Sequence, residues 1–501
     1  MRLDNRDKIQ KYVIVGGGTA GWFSAAILVR ALLNTGCKIE LVESPNVPTI
    51  GVGEATIPSI VDTLRYLNIP LPEFIRETNA TFKLGIKFSD WHTVGDHYWH
   101  QFGFVGGKMD DRPFYQHWLK YVMHGGELDY TDFSPSVAMA KHNKFHIGNP
   151  NKPNNLSAST YAFHFDAGLV AKYLTDYCVN NGVIHTKSHV RDVVLDDRGF
   201  IKSVISEKGQ PIAGDFFIDC SGQHGLLIEK ALNVGVENWQ QYLPVDRAIA
   251  VQSETLSQLP PYTESIAHEH GWRWKIPLQN RTGNGYVYCS EFCDENTAID
   301  ALNRHIIGEK LTDPKVLSFV TGKRDKIWFK NCLSVGLSSG FLEPLESTSI
   351  NLIVKGMMDF VNCIPDKDCN QQTIDEYNRL MDIEYECIRD FLVLHYCTSA
   401  RQDSEFWRSW QHRSIPDSLQ TKLALFRQQG RLFQNELDLF TADSWYAVLE
   451  GMKVRPISYD PLIDASDFTK IKQSLPQYIK GLQDSVDLLM THDEFLAKIT
   501  H

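Results

Sequence analysis

Gly16, Gly18 and Gly21, with Thr19 and Ala20 between them and a carboxylate at Glu43, are the first residues in the chain whose spacing could do chemistry. The three glycines form a turn able to wrap a pyrophosphate. Gly16 permits the tight bend, Gly18 lets phosphate approach the backbone, and Gly21 lets the following helix pack closely. The helix N-terminus then offers free N–H groups and positive potential. Glu43 stands at the separation from which a carboxylate reaches a ribose hydroxyl. A lone glycine turn is a weak signal, and the elements around it make it specific. Tyr12-Val13-Ile14-Val15 reads as a strand, Trp22 to Leu28 as a helix, and Lys38 to Val42 as a second strand ending at Glu43. Together they predict a dinucleotide-binding α/β unit.

Further along, Gly51-Val52-Gly53-Glu54-Ala55-Thr56 again puts glycines beside a carboxylate, as expected where backbone passes close to a ligand. It runs into a helix that Thr56 is expected to cap, with Pro58 in its first turn. Thr81 to Phe88 alternates, placing Phe82, Leu84, Ile86 and Phe88 on one face and Lys83, Gly85 and Lys87 on the other. That pattern predicts one half-buried strand, and solvent is the ordinary destination of its lysines. Residues 91 to 118 are dense in rings and histidines without metal-ligand spacing, which suits a pocket for a flat ligand or a packed core. In Trp272-Arg273-Trp274-Lys275-Ile276-Pro277, strand alternation sets both tryptophans on one face as a wall. Ser338 to Ile350 is a polar loop entering a helix. Ser347, Thr348 or Ser349 could cap it, and its free N–H groups could bind an anion.

The remaining elements must carry these residues. From Tyr161-Ala162-Phe163-His164-Phe165-Asp166 a helix is expected to run to about Cys178. Short strands follow at Val183 to Thr186, Val190 to Leu195 and Ile201 to Ile205, the last two joined as a hairpin through Asp196-Asp197-Arg198-Gly199. The strand Asp215 to Cys220 returns the chain to the nucleotide unit. From Thr373 to His501 the pattern is largely helical, with Thr373 and Glu376 as a capping box. The chain has 501 residues and a net charge of -11, which argues against nucleic acid or an anionic membrane as the main partner. Ten cysteines without a CxxC pair suit free thiols rather than a metal site or a disulfide scaffold. No signal peptide is visible in the mixed-charge first residues, so the expected compartment is cytoplasmic.

These motifs resemble the flavin-dependent halogenases of the tryptophan halogenase family over most of the chain. The resemblance rests on the glycine turn, on Gly51-Val52-Gly53-Glu54-Ala55-Thr56, on Thr81-Phe82-Lys83, on the WxWxIP signature Trp272-Trp274-Ile276-Pro277, and on Glu343-Pro344-Leu345-Glu346-Ser347-Thr348. It implies an FAD-binding Rossmann-like core of the flavin monooxygenase type with an inserted β-sheet layer and a helical C-terminal region. The implied division is a module over 1–370, with a nucleotide core near 10–60, 160–225 and 325–365, and a substrate-covering region over 371–501. It further implies that FAD, delivered as FADH2 by a separate reductase, reacts with oxygen and a halide to give hypohalous acid, which travels to the substrate.

By the same resemblance, Lys83 hydrogen-bonds the oxidant or carries it as a haloamine, and Glu346 positions the oxidant or assists deprotonation of the ring. Nothing in the strand pattern itself separates Lys83 from Lys87. Chloride or bromide would lie on the N–H groups of Thr348 and Ser349. Many members have glycine at the position of Ser349, so a positive φ there would strain a serine. FAD would contact Gly16, Gly18, Thr19, Ala20, Gly21, Glu43, Gly51, Val52, Gly53, Glu54, Ala55, Leu337 and Ile350. His100 and Phe102 match the residues that sandwich the substrate ring. Read from their own spacing, Phe440 and Trp445 could close over a ligand, core packing being the commoner fate of such aromatics, and Glu436 is the nearby carboxylate to anchor any amino group. The stretch Leu439-Phe440-Thr441-Ala442-Asp443-Ser444-Trp445-Tyr446 lacks the Phe-Trp pair of tryptophan-specific members, which favours an indole or a carrier-borne ring over free tryptophan. An aromatic hydroxylase of the same fold and a non-catalytic flavin-binding protein are the competing readings, and assembly into a homodimer is left open.

Overall fold

The computed structural model describes residues 8–46, 53–107, 109–149 and 151–500. The chain divides into two compact units, each built from three segments. One comprises Met1–Asn79, Phe165–Gln240 and Phe319–Glu386, and the other Ala80–His164, Gln241–Ser318 and Cys387–His501. This division by compactness runs differently from a boundary at 370, because the helix Gln371–Cys397 gives its first part to one unit and its end to the other.

The first unit is organised on a six-stranded sheet in the order Trp328–Phe329, Cys332–Ser334, Phe216–Asp219, Lys11–Val15, Lys38–Glu43, Ile184–Lys187. Every pairing is parallel except that of Trp328–Phe329. Strands covered on both faces need apolar side chains at successive positions. Tyr12 to Val15 and Phe216 to Ile218 supply them, each at most 3% exposed. The helix Thr19–Ala31 packs against Ala167–Asn180 and Ser349–Asn362. The hairpin Val190–Leu195 with Ile201–Ser206 forms as expected, its turn closed by bonds from the Asp196 amide to the Phe200 carbonyl and from the Gly199 amide to the Asp196 carbonyl.

The second unit holds a seven-stranded sheet in the order Lys315–Ser318, Arg247–Ser253, Thr282–Tyr288, Gly271–Pro277, Thr263–His268, Gly85–Ser89, His97–Gln101. It is antiparallel apart from the pairing of Thr263–His268 with Gly85–Ser89. Its C-terminal helices include Asp417–Gln429, Ala442–Gly451, Phe468–Asp487 and His492–Thr500.

Four local expectations are corrected. The stretch Thr81 to Phe88 is two strands, Thr81–Lys83 and Gly85–Ser89, which pair with different partners. Leu84 is the break: its amide donates to the Pro261 carbonyl and its carbonyl accepts from the Phe102 amide. Ala162–Asp166 is a strand, and the helix begins only at Ala167, where the Asp166 carboxylate accepts from the Gly168 and Leu169 amides. The alternation of Tyr161, Phe163 and Phe165 is a period of two, the pattern of a strand. Thr56 does not cap its helix, which starts at Ser59 behind Pro58 without a side-chain cap. Asn370, not Thr373, accepts from the first amides of the helix Gln371–Cys397, and Glu376 pairs instead with Arg379. All ten cysteines are free. Among the described residues no helix is long and apolar enough to cross a membrane.

Candidate active site

In the first unit the glycine turn is fixed by close backbone approach. Gly16 has φ +118° and its amide donates to the Val42 carbonyl at 2.9 Å. A Cβ on Gly16 would lie 2.1 Å from the Cys220 carbonyl oxygen, and one on Gly21 would lie 1.9 Å from the Gly16 oxygen. Gly17, which the motif leaves free, lies against Glu43, since a Cβ there would meet that side chain at 2.3 Å and push it aside. Gly18 differs: a Cβ built on it meets nothing within 4 Å. The fold therefore demands Gly16 and Gly21, while the space before Gly18 stays open at the start of the helix carrying Thr19 and Ala20. That open space at a helix N-terminus fits a pyrophosphate.

Glu43 accepts from His185 Nε2 at 2.7 Å and keeps a carboxylate that is 27% exposed. Gly336, at φ +71°, comes so close to Ala20 that a Cβ would meet the alanine methyl at 2.7 Å, which brings the turn of Leu337 against the helix start. Gly53–Ala55 is a short strand. Burial pushes the Glu54 carboxyl up to about 7. Gly51 and Val52 lie outside the described residues. Thr56, Ile57, Ser59, Ile60, Ile350, Asn351 and Val354 line one shallow surface depression, so Ile350 and the segment after Ala55 share one surface.

The polar loop of this unit ends in a short turn at Pro344–Glu346 followed by the helix Ser349–Asn362. None of the three hydroxyls caps that helix. The left-handed backbone falls on Ser347, at φ +60° and ψ 36°, while Ser349 is the first helical residue. The strain expected at Ser349 is thus absent, and one non-glycine residue at Ser347 bears a cost of about 1–2 kcal/mol instead. Glu346 and Thr348 are each 1% exposed. Thr348 Oγ1 is buried and has no hydrogen-bond partner among the described residues. A hydroxyl left so is costly unless something accepts from it, and the first-turn amides beside it have no partner within the helix.

In the second unit Lys83 is fully buried, and its Nζ lies 5.1 Å from the centroid of the Phe102 ring. The expected solvent-facing lysine is corrected here. The strand break at Leu84 separates Lys83 from Lys87, which stays partly exposed on a different strand. Taking an ammonium out of water costs several kcal/mol even after relaxation, so a lysine at this depth is held by the structure around it. Phe102 meets His100 edge to face at 6.5 Å. His100 in turn faces Phe391 at 5.3 Å and Phe440 at 5.9 Å. Phe391 stacks on Phe440 at 3.9 Å and meets Trp445 edge-on at 5.0 Å. Four of the five sequence-named substrate residues therefore gather in one aromatic enclosure. Glu436 does not join them, because it is exposed on the loop between Gln429 and Ala442.

Phe391, on the helix Gln371–Cys397, is the ring that joins this cluster. Lys422 Nζ stands 4.1 Å from the Trp445 ring centroid. Asp443 is committed elsewhere: it accepts from Tyr130 at 2.7 Å, and burial raises its carboxyl above the ordinary range. Trp272 is buried and Trp274 partly so, their rings 6.0 Å apart on one face of their strand. Among the described residues no group of three or more histidine, cysteine or acidic side chains could hold a metal ion.

Comparison with known proteins places this arrangement. The tryptophan halogenase family model matches residues 11–467. The chain belongs to the tryptophan halogenase family. It is 35% identical to the tryptophan 6-halogenase SttH of Streptomyces toxytricini over 99% of both chains, and 34% identical to the tryptophan 7-halogenase RebH of Lentzea aerocolonigenes over 91% of both. Among solved structures it is similar to BrvH, a flavin-dependent halogenase from Brevundimonas sp. BAL3, with a TM-score of 0.95 and 38% identity covering 99% of this chain and 100% of that one. The protein is a flavin-dependent halogenase, an oxidoreductase that uses FAD in its reduced form and a halide ion.

Proposed function

We propose that this halogenase acts on a flat, electron-rich ring of the indole class and that Lys83 carries the oxidant to it. The observation that carries the proposal is the fully buried lysine 5.1 Å from the Phe102 ring, whose neighbour His100 meets Phe391 and Phe440. Reduced FAD, when bound, supplies with oxygen the two-electron oxidation that turns halide into hypohalous acid. Gly16, Gly18, Thr19, Ala20, Gly21, Glu43, Gly53, Glu54, Ala55, Leu337 and Ile350 would hold it, a role supported by the open space before Gly18 and the partly exposed Glu43 carboxylate.

The halide rests on the amides of Thr348 and Ser349. The unpartnered Thr348 hydroxyl supports this, since it supplies a further donor. Lys83 Nζ donates a hydrogen bond to the hypohalous oxygen and polarises the halogen, or as a neutral amine it takes the halogen covalently while water leaves. The ring carbon then forms its bond to halogen as the oxygen–halogen bond breaks, the oxygen leaving as water with a Lys83 proton, or as the nitrogen–halogen bond breaks and the Lys83 nitrogen keeps the pair and takes up a proton. The Glu346 carboxylate stabilises the cationic ring and receives the proton lost from that carbon. His100 and Phe102 present their faces and edges to the ring, with Phe440 and Trp445 beyond them.

Neither carboxylate near the C-terminal rings is placed for an amino group, since Asp443 is engaged by Tyr130 and Glu436 is exposed. Indole or a substituted indole without the amino-acid head is therefore halogenated at least as well as free tryptophan. The test is mass spectrometry of products formed from both substrates at equal concentration, with and without bromide. The bromine isotope pattern should appear on indole at least as strongly as on tryptophan. Its absence from both would sink the proposal, and a clear preference for tryptophan would sink its substrate class.

A separate flavin reductase supplies FADH2, a role supported by the single glycine turn for a nucleotide. The cytoplasm as compartment is supported by ten unpaired thiols, which persist in a reducing environment. A homodimer is the finest part of this reading, and light scattering against a chain mass of 57.1 kDa decides it.

A further inference from the structure

Lys83 ends a strand only three residues long, Thr81–Lys83, which pairs with Ala162–His164 in the register Thr81 with His164, Phe82 with Phe163 and Lys83 with Ala162. So short a strand fixes its last side chain poorly unless its remaining polar groups are tied down. Two fully buried histidines, far apart in the sequence, do so.

His492 opens the helix His492–Thr500. Its Nδ1 lies 2.8 Å from the Leu259 carbonyl oxygen, which can only accept, so Nδ1 carries the proton. Its Nε2 is then bare and accepts from the Phe82 amide at 3.1 Å. His164 is fixed by the same logic. The hydroxyl of Thr81 has one proton, and it goes to the Pro277 carbonyl at 2.7 Å. Thr81 Oγ1 must therefore accept from His164 Nδ1–H at 2.9 Å, and His164 Nε2 accepts from the Thr263 hydroxyl at 2.9 Å. Both rings are neutral, in the Nδ1–H form.

A second proton on His492 would set a donor against the Phe82 amide, while at His164 the Thr263 hydroxyl can turn to accept, so burial rather than the hydrogen bonds keeps that ring neutral. Burial first and the Lys83 charge second push His164 well below the ordinary histidine range, and burial holds His492 at about 4. Phe82 is further held by Phe145, stacked at 4.0 Å, and by Phe495 at 5.5 Å. The Thr81 hydroxyl also ties this strand to Pro277, the last residue of the WxWxIP signature.

We propose that His164 and His492 are positioning residues for Lys83, two neutral imidazoles that clamp its strand from a side-chain hydroxyl and from a backbone amide. The inference rests on Lys83 carrying the oxidant, as proposed above. Thr81 and Lys83 lie two residues apart on one face of the strand, so freeing Thr81 or Phe82 lets the ammonium drift. A displacement of about 1 Å at a reacting group costs on the order of 100-fold.

The experiment uses the full chain with a flavin reductase, FAD, bromide and indole. It reads halogenated product per flavin oxidised, and the share of oxidant captured by an added 1,3-diketone scavenger. His492→Leu and His164→Leu keep bulk but lose both hydrogen bonds. Each should lower product per flavin at least about tenfold and raise the scavenged share to match. His492→Gln and His164→Gln offer one donor and one acceptor and should recover at least half of that loss.

Leucine variants that melt earlier but keep the parent partition between product and scavenger would overturn the proposal, leaving the histidines only a folding role. Should the leucine variants not fold, Thr81→Val removes the hydroxyl alone and is read in the same way. Lys83→Ala run beside them separates the two claims. If it keeps the parent partition, the lysine reading fails and the clamp with it. If it loses product while the histidine variants do not, only the clamp fails.

Discussion

The two units make their parts of the enzyme by different means. In the first, the geometry is set by backbone. Gly16 and Gly21 are required because a Cβ on either would lie 2.1 or 1.9 Å from a backbone carbonyl oxygen, and Ser347 takes a left-handed conformation just before Thr348. In the second, the geometry is set by side chains drawn from distant segments. Lys83 meets Phe102, His100 meets Phe391 and Phe440, and the Lys83 strand is held by His164 and His492. A backbone-defined site depends on a few consecutive residues and tolerates little. A side-chain-defined site can be retuned one residue at a time, and that is the unit where the proposal puts the choice of substrate.

The largest effect expected from this contrast is at Lys83. Lys83→Ala should abolish halogenation while reduced flavin is still reoxidised, because the lysine acts after the oxidant has formed. Lys87→Ala, on a separate and partly exposed strand, should be far milder. Equal loss in both, or loss of flavin oxidation with Lys83→Ala, would move the lysine from chemistry to folding. Stopped-flow flavin oxidation measured beside product yield distinguishes the two.

Next comes the buried loop of the first unit. Glu346→Gln should slow halogenation by about 10 to 1,000-fold, the scale of losing a proton acceptor or an electrostatic stabiliser. Thr348→Val should mainly raise the halide concentration needed for half-maximal rate. An unchanged rate with a lowered melting temperature in Glu346→Gln would assign that carboxylate a purely structural task.

The glycines sharpen the comparison because two of them should respond oppositely. Gly18→Val should fold, since nothing in the protein occupies the space a side chain would enter, yet lose FAD affinity by about tenfold or more, or ~1.4 kcal/mol. Gly16→Val should fail to fold, its Cβ driven into the Cys220 carbonyl. Flavin titration by fluorescence and circular dichroism of the two variants check both halves. A Gly18→Val protein that holds flavin as tightly as the parent would refute the cofactor placement.

The smallest effects are in stability against pH, and their signs oppose. In the second unit burial holds His268 and His492 at about 4, below the ordinary 6.5. The unfolded chain takes up protons that the folded one refuses, so this stability is complete above about 6.5 and is lost as pH falls toward 4. In the first unit burial raises Glu54 from 4.5 to about 7, so its contribution is complete below 4.5 and lost as pH rises through about 7. Melting curves across this range should therefore flatten on the acid side in His492→Gln, and between 4.5 and about 7 in Glu54→Gln. Identical profiles in parent and variants would remove these groups from the pH dependence.

Much of the first unit was legible in the amino-acid order. The strand–turn–helix at Lys11–Ala31, the strand ending at Glu43, the hairpin at Asp196–Gly199 and the loop entering the helix at Ser349 each depend on neighbours within a few residues, and local pattern reports such neighbours faithfully. Even there the positive φ was expected at Ser349 and stands at Ser347, because a turn of given length can place its left-handed residue at more than one position.

The aromatic side of the substrate site was visible only as composition. His100, Phe102, Phe440 and Trp445 could be named through the family resemblance. Phe391, Lys422, His164 and His492 could not, since each acquires its role from a partner tens to hundreds of residues away. Alternation read through Leu84 gave one strand with two equivalent lysines. Backbone bonds from Leu84 to Pro261 and Phe102 cut it in two. The sequence by itself determined the nucleotide-binding turn and, through its motifs, the family, because those rest on the conformational freedom of glycine and on short-range spacing. Tertiary structure alone decided that Lys83 rather than Lys87 is buried, that two distant histidines are locked neutral beside its strand, and that one aromatic enclosure forms. Burial and hydrogen-bond satisfaction are properties of the packed chain, and no local window contains them.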